Sequence, residues 1–353
     1  MTRSTEHGHG QARSELAPGV LVGSGDTAGP GLPALVIGEA LVDVIAAPDG
    51  SRRSHPGGSP ANVALSLGRL GHPVRLATRV GHDHLGRLVR KHLEGSGVDL
   101  APGSVVNSPT STATAVLDAK GAANYTFDIT WALSAAVEEA LRDGPPAHVH
   151  TGSIATALSP GADQVYSTLH ALRTSATLSY DPNLRPALLR PAEQERERVE
   201  QLVVISDVVK ASEEDLAWLH PGENPDKTAA RWARNGPSLV VLTLGANGAR
   251  AWWRHGCQDI APVSVQVMDT VGAGDAFMAG LTSRLLHAGL LAGGPGAEAA
   301  TARAALRTAT GTDRLPAVLG DALTVAARTA ALTCARQGAG PPTAAELRAC
   351  VMS

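Results

Sequence analysis

From Ala34 to Gly245 the chain keeps one rhythm: short apolar runs closed by turn residues alternate with longer stretches of helical periodicity. ALVIGEALVDVI is followed by NVALSLGRLG and VRLATRVG by HLGRLVRKHLEGSG; VDLAP, HVHTGS, ATLSYDPN, VVISDVVKAS and SLVVLTLG continue the series. Runs of this length bounded by Gly, Pro, Asn and Asp read as strands, and strands joined by helices pair in parallel. A parallel sheet is covered on both faces, so the rhythm predicts an α/β fold with helices on either side of a largely parallel sheet. One segment breaks it. STATAVLDAKGAANYTFDI, residues 111–129, is two β-prone runs around a Lys-Gly turn and predicts an antiparallel hairpin. The doubly covered sheet has no layer for such a hairpin to join, so it is expected to project as a flap. Residues 1–33 are rich in Gly, Pro, Ser and His without periodicity and read as a disordered tail, leaving 34–353 as the folded domain.

The formal net charge of the 353 residues is -3, and no block of like charge stands out. There is no basic field to hold nucleic acid or an anionic membrane. Cys257, Cys334 and Cys350 are odd in number and far apart, matching neither a CxxC motif nor a disulfide framework, and read as reduced thiols. The N-terminal segment lacks the sustained apolar stretch of a secretory signal, and no run of about 20 apolar residues follows. These features predict a cytoplasmic enzyme whose partners are small molecules or other subunits.

In DTVGAGDAFMAGL, residues 269–281, Gly272, Ala273 and Gly274 keep bulk away from the start of an apolar helix. Free backbone N–H groups and the positive end of the helix dipole make such a place an anion site. A carboxylate inside that nest would repel a phosphate, so Asp275 is useful beside it, as a general base for an incoming hydroxyl. The string alone is equally compatible with a turn and a capping Asp. HPGGSPANVALSLGRLG, residues 55–71, again pairs glycines, Gly57 and Gly58, with a helix entrance, and Asn62 offers an amide in the first turn. LTLGANGA, residues 242–249, places Thr243, Gly245 and Gly248 in a loop open to a nucleotide, or in the turn of a β-hairpin.

GGSPAN, with Gly71 and Gly81 beyond it, resembles the N-terminal signature of the PfkB family of ribokinase-like carbohydrate kinases, and DTVGAGDAFMAGL resembles the C-terminal one. GEALVDVI, DPNLRP and LTLGANGA also stand at family-like places, so the likeness runs from about Leu35 to the C-terminus. It implies a ribokinase-like three-layer α/β/α sandwich with a small β lid from segments near 41–57 and 110–131. The implied chemistry is phosphorylation of a sugar hydroxyl with ATP and Mg²⁺, in some members with a monovalent cation such as K⁺. Residue by residue, Asp275 matches the base and Gly272, Ala273 and Gly274 the anion hole. Asp43, Gly57, Gly58 and Asn62 match sugar-holding positions. Lys210, Thr243, Gly245 and Gly248 match nucleotide positions, and Asp181 and Asn183 a phosphate network.

The sequence departs from the family in two places. The Asn-x-x-Glu pair that organises metal-bound water in many members is Ser212 and Asp215 here, which could still bind hydrated Mg²⁺. The lid reads TFDITWAL, with Asp128 and Trp131 where members acting on fructose or on ketosugar acids often carry an arginine soon after the aromatic residue of the hairpin. An acid there suits a neutral polyol, and Trp131 is expected to offer an apolar face to a sugar ring or else to sit in the core. His82, His84, His148 and His150 have ligand-like spacing without a complete set of partners, and read as ordinary loop and strand residues. No GxGxxG or GxxxxGK[ST] string occurs, so a Rossmann dehydrogenase and a P-loop kinase lose support. The sequence thus points to a fructokinase-like enzyme that dimerises through its lid. A kinase for another neutral sugar or a nucleoside, and a non-catalytic sugar sensor on the same scaffold, remain as alternatives.

Overall fold

The structure, a computed structural model, describes residues 31–47, 49–117, 123–133 and 135–350. Up to residue 30 the expected tail lies outside the described residues, as does the turn of the expected lid hairpin, 118–122. Within the unit Leu32–Ser353 a nine-stranded sheet forms the middle layer. Its order is Gly256–Ile260, Ala249–Trp253, Leu239–Thr243, Val208–Ser212, Thr177–Asp181, His148–Gly152, Ala34–Ile37, Val74–Ala77 and Val98–Leu100. The seven strands from Leu239–Thr243 onward are parallel, and the first two are added antiparallel.

Strand alternation sorts apolar side chains into two cores. Val36, Val208 and Val241 point to one, with Val63, Leu67, Met278, Leu281, Leu306 and Leu323 from the covering helices. Leu35, Ile37, Val209, Val240 and Leu242 point to the other, with Leu169, Leu202, Leu216 and Trp232. Helices therefore cover both faces, giving the expected three-layer α/β/α sandwich. The helix Ala317–Cys334 is long and apolar enough to cross a membrane by length and composition, but Leu319, Ala322, Leu323 and Ala326 bury it in the first core.

Two runs divide where periodicity alone joined them. ALVIGEALVDVI is two strands: Ala34–Ile37 lies in the main sheet, whereas Leu41–Ala46 joins a second sheet ordered Arg52–Gly57, Leu41–Ala46, Thr112–Leu117, Ala123–Asp128. VVISDVVKAS is the end of the helix Ala192–Ile205 followed by the strand Val208–Ser212. The expected hairpin does find a layer, because Thr112–Leu117 pairs in parallel with Leu41–Ala46 while Ala123–Asp128 pairs with it antiparallel. This four-stranded sheet is the lid. LTLGANGA is also a hairpin connection, since Leu239–Thr243 pairs antiparallel with Ala249–Trp253.

Candidate active site

Parallel strands end on one edge of the sheet, and in open α/β sheets that carboxyl edge is where ligands bind. Glu39 follows the first strand, Asp181, Ser212 and Thr243 close three others, and the helix Ala273–His287 starts over the same edge. Gly272 caps that helix in the left-handed region (φ 76°), which a side chain rarely adopts. A Cβ there would also lie 2.7 Å from the Cβ of Ala339, and one on Gly274 would lie 3.0 Å from Lys210 Nζ. Gly272 is thus required by shape, and Gly274 leaves room for the Lys210 ammonium. Of the three residues expected to form an anion hole, Ala273 has its N–H engaged within the protein. The Ala273 N–H donates to Thr270 O at 3.2 Å, whereas the N–H groups of Gly272, Gly274 and Asp275 meet no protein acceptor among the described residues.

Asp275 is buried at the first turn of that helix. Ser59 Oγ donates to its Oδ1 at 2.7 Å, Asn62 Nδ2 to its Oδ2 at 2.8 Å and Asn183 Nδ2 to Oδ1 at 3.4 Å. Ser59 and Asn62 stand on the first turn of the helix Ser59–Arg69, which Pro60 helps to start. The two family-like signatures meet through these bonds. Asn62, expected on the sugar, gives an amide N–H to the carboxylate of Asp275, a bond the string did not show, and the sequence assigns Ser59 no role. Gly58 (φ 103°) lets the chain turn between them, since a Cβ there would lie 2.5 Å from Glu39 O.

Beneath the helix start, Lys210 Nζ pairs with Asp181 Oδ2 at 2.7 Å, both fully buried. Burial pushes the Asp181 carboxyl up to about 6; Lys210 opposes this, and Asp215 and Asp275 add to it. Burial also works against the Lys210 ammonium, but Asp181, Asp215 and Asp275 outweigh it and raise its proton affinity. The close approach of the two is that of an ion pair. It puts a fixed positive charge 3.0 Å from where a Gly274 Cβ would be. Lys210 is therefore a buried support for the helix start and not an open nucleotide contact. His148 and His150 lie under the pair, hydrogen-bonded to Thr177 and Ser179, and burial drives both to about 3. They are neutral sheet residues, as expected; His82 and His84 are exposed.

The lid sheet carries Asp43 on its strand Leu41–Ala46. A Cβ on Gly57 would lie 2.2 Å from Asp43 Oδ2, so the glycine makes room for that carboxylate. Burial raises the Asp43 carboxyl, against the pull of Arg185 and His55. Cross-strand register puts Phe127, by way of Ala113, on the same face as Asp43. Trp131 takes the other course left open by the sequence: it is 3% exposed, donates Nε1 to Ala155 O at 2.9 Å and packs where a Cβ on Gly161 would touch its ring. It has no free face for a sugar. The Ser212–Asp215 pair is a capping box: Asp215 Oδ2 accepts from Ser212 N and Oγ, and Oδ1 from Leu184 N. With both oxygens engaged by protein donors, Asp215 does not fit as a direct metal ligand. No group of three or more His, Cys, Asp or Glu side chains that could hold a metal occurs among the described residues. Thr243 sits at its strand end with its hydroxyl toward Ala211 O, and the Gly245–Asn247 turn follows. Gly248 (φ 86°) lies against Ile260 O, where a Cβ would come within 2.2 Å.

Glu39 was not expected. Its buried carboxyl accepts from Ala155 N at 3.2 Å, and burial pushes it up to about 7 despite Ser153, Arg185 and Ala155. The folded chain thus binds this proton more tightly than the unfolded chain does, whose carboxyl lies near 4.5. Ionising Glu39 costs the fold nothing below that range and costs most above about 7. Glu39→Gln keeps an acceptor for Ala155 and is expected to stabilise the protein by about 1–3 kcal/mol more at pH 8 than at pH 4. Urea unfolding at the two pH values checks this; an equal effect at both would contradict it.

The pfkB family of carbohydrate kinases matches residues 34–345. A fructokinase of Rhizobium leguminosarum bv. trifolii is 33% identical over 265 residues, 73% of this chain and 81% of that protein. The structure of a fructokinase with bound ATP from Xylella fastidiosa aligns with a TM-score of 0.77 at 24% identity, covering 90% of this chain and 98% of that one. A Vibrio cholerae fructokinase, a double mutant in its fructose, ADP and potassium ion bound form, aligns with a TM-score of 0.69 at 27% identity, over 91% and 99%.

Proposed function

The chain belongs to the pfkB family of carbohydrate kinases, and from that premise we propose that it transfers the γ-phosphoryl group of ATP to a hydroxyl of a neutral sugar, fructose first among them. The observation that carries this reading is the convergence of a buried, hydrogen-bonded carboxylate and open backbone N–H groups on one helix start. Asp275 takes the proton of the attacking hydroxyl as the new O–P bond forms and the bond to ADP breaks. Ser59 and Asn62 hold the carboxylate in place for that attack. Negative charge on the transferring group meets the N–H groups of Gly272, Gly274 and Asp275, the helix dipole and Lys210 behind them. The Thr243–Gly248 turn takes the nucleotide, Asn183 lies beside the transferring phosphate, and Asp43, Gly57 and the Phe127 face take the sugar.

A divalent ion, when bound, neutralises the phosphate oxygens. Mg²⁺ would be held here by those phosphates and water, the mode its small hydrated shell favours. The fructose, ADP and potassium named for the V. cholerae relative support fructose as substrate and K⁺ as an activating ion. A cytoplasmic enzyme fits such substrates.

Asp128, exposed at the end of its lid strand opposite Thr112, leaves no cation at that place for a sugar carboxylate. We therefore expect kcat/KM for fructose to exceed that for keto-deoxygluconate by at least tenfold. A panel of both, with ribose, tagatose and adenosine, tests this; a preference for the sugar acid would contradict it. The lid also leaves Ile45 39% and Val116 47% exposed, and Arg52 and Arg53 charge one edge strand. A homodimer that covers this sheet is expected by light scattering at micromolar concentration, and a fully active monomer would exclude it.

A further inference from the structure

Arg79 follows the core strand Val74–Ala77 and is 9% exposed. A buried cation is costly unless it is paired or put to use, and among the described residues no ion pair involves Arg79. What it does hold is backbone. Nη1 donates to Thr130 O at 3.3 Å and to Pro109 O at 3.5 Å. Pro109 precedes the first lid strand of the hairpin, Thr112–Leu117, and Thr130 follows the second, Ala123–Asp128. One guanidinium therefore grips the chain as it enters the hairpin and as it leaves.

The surroundings make this a fixed point. The Val80 N–H donates to Ser104 O and the Thr78 N–H to Ser104 Oγ, which anchor the backbone on either side of Arg79. Ser111 Oγ accepts from Thr130 N at 3.2 Å and donates to Thr130 O at 3.3 Å, so the two legs are tied to each other where Arg79 holds them. Ser111 O accepts from Val42 N, which passes the position of the hairpin to the strand that carries Asp43. Trp131 Nε1 on Ala155 O fixes the next residue along the exit leg.

We propose that Arg79 is the positioning residue of the lid: it ties both legs of the hairpin to the core sheet and so sets where the Asp43 and Phe127 face lies over the sugar. Its contribution falls on sugar binding and not on the nucleotide loop, which stands on the far side of the sheet order, beyond Leu239–Thr243. The consequence for sugar KM rests on the kinase reading above, whereas the effect on the lid does not.

Hydrogen exchange of the unliganded full chain and steady-state kinetics separate the two. In Arg79→Met the amides of 112–117 and 123–128 are expected to exchange at least tenfold faster, with the core strands 177–181 and 208–212 unchanged. KM for the sugar should rise about tenfold while KM for ATP stays within twofold, and Arg79→Lys, which keeps one donor to either carbonyl, should fall between. Arg75→Met is the control, removing an arginine of the same strand that bonds Asp99 and Ala140 instead; lid exchange there should match the parent. Unchanged lid exchange in both Arg79 variants, or exchange that rises equally in lid and core, would overturn the proposal. A parent chain that phosphorylates no sugar would overturn the kinase reading alone, with the lid exchange still deciding the role of Arg79.

Discussion

Asp275→Asn is expected to lower kcat by about 10²- to 10⁴-fold, the range for loss of a positioned general base. The amide keeps the size of the carboxylate and can still accept from Ser59, but it has no basic oxygen to take the sugar proton. It also turns an N–H₂ toward one of the donors that now face it, Ser59 on Oδ1 or Asn62 on Oδ2, so a modest loss of stability accompanies the loss of rate. Calorimetric Kd values for ATP and sugar should change little, because neither the nucleotide turn nor the Asp43 face is touched. A folded variant that keeps more than about a tenth of the parent kcat lies outside that range and would return Asp275 to the role of a helix cap, whose loss costs roughly 1 kcal/mol of stability.

The second large effect is on Lys210. Lys210→Met leaves Asp181 buried without its partner, and breaking a buried pair from one side typically costs about 3–5 kcal/mol. It also removes the positive charge under Gly274, which is expected to lower kcat by roughly 10²-fold, as loss of one electrostatic contributor to a transition state does. Adding Asp181→Asn removes the uncompensated charge. The double variant should therefore recover most of the melting temperature of the parent while its kcat stays low. Recovery of both together would mean that Lys210 serves the fold alone.

The layered fold was legible in the sequence because alternate residues of Ala34–Ile37, Val208–Ser212 and Leu239–Thr243 face opposite cores, and that period of two survives in the string of residue types. Where it misled, the backbone turned inside an apolar run. In ALVIGEALVDVI the interruption at Gly38-Glu39 is too short to tell a turn from a polar position within one strand, yet the chain leaves the main sheet there for the lid. Asp275 and its glycines stood out in the string as a candidate site, since a carboxylate at the mouth of an apolar helix is costly unless its charge is used. Its partners were not, because Ser59 and Asn62 lie more than 200 residues away and a pattern carries no distance. Ser212 and Asp215 illustrate a different limit: a hydroxyl three residues before a carboxylate suits a water-held metal and a capping box alike, and the bonds from Ser212 N and Leu184 N show the capping box, which the string alone could not. Trp131 was open between sugar and core, and the absent side chain of Gly161, remote in the string, makes the space that settles it.

Transfer of a phosphoryl group from ATP onto a sugar hydroxyl at this helix start can be watched by following the phosphorus itself. With the parent protein, Mg²⁺, ATP and fructose, ³¹P NMR should show a sugar phosphate ester growing in step with ADP as the γ-phosphate signal falls, and no growth with Asp275→Asn over the same time. ADP appearing with inorganic phosphate and no ester, or no consumption of ATP with fructose or with any other neutral sugar or nucleoside, would contradict the account.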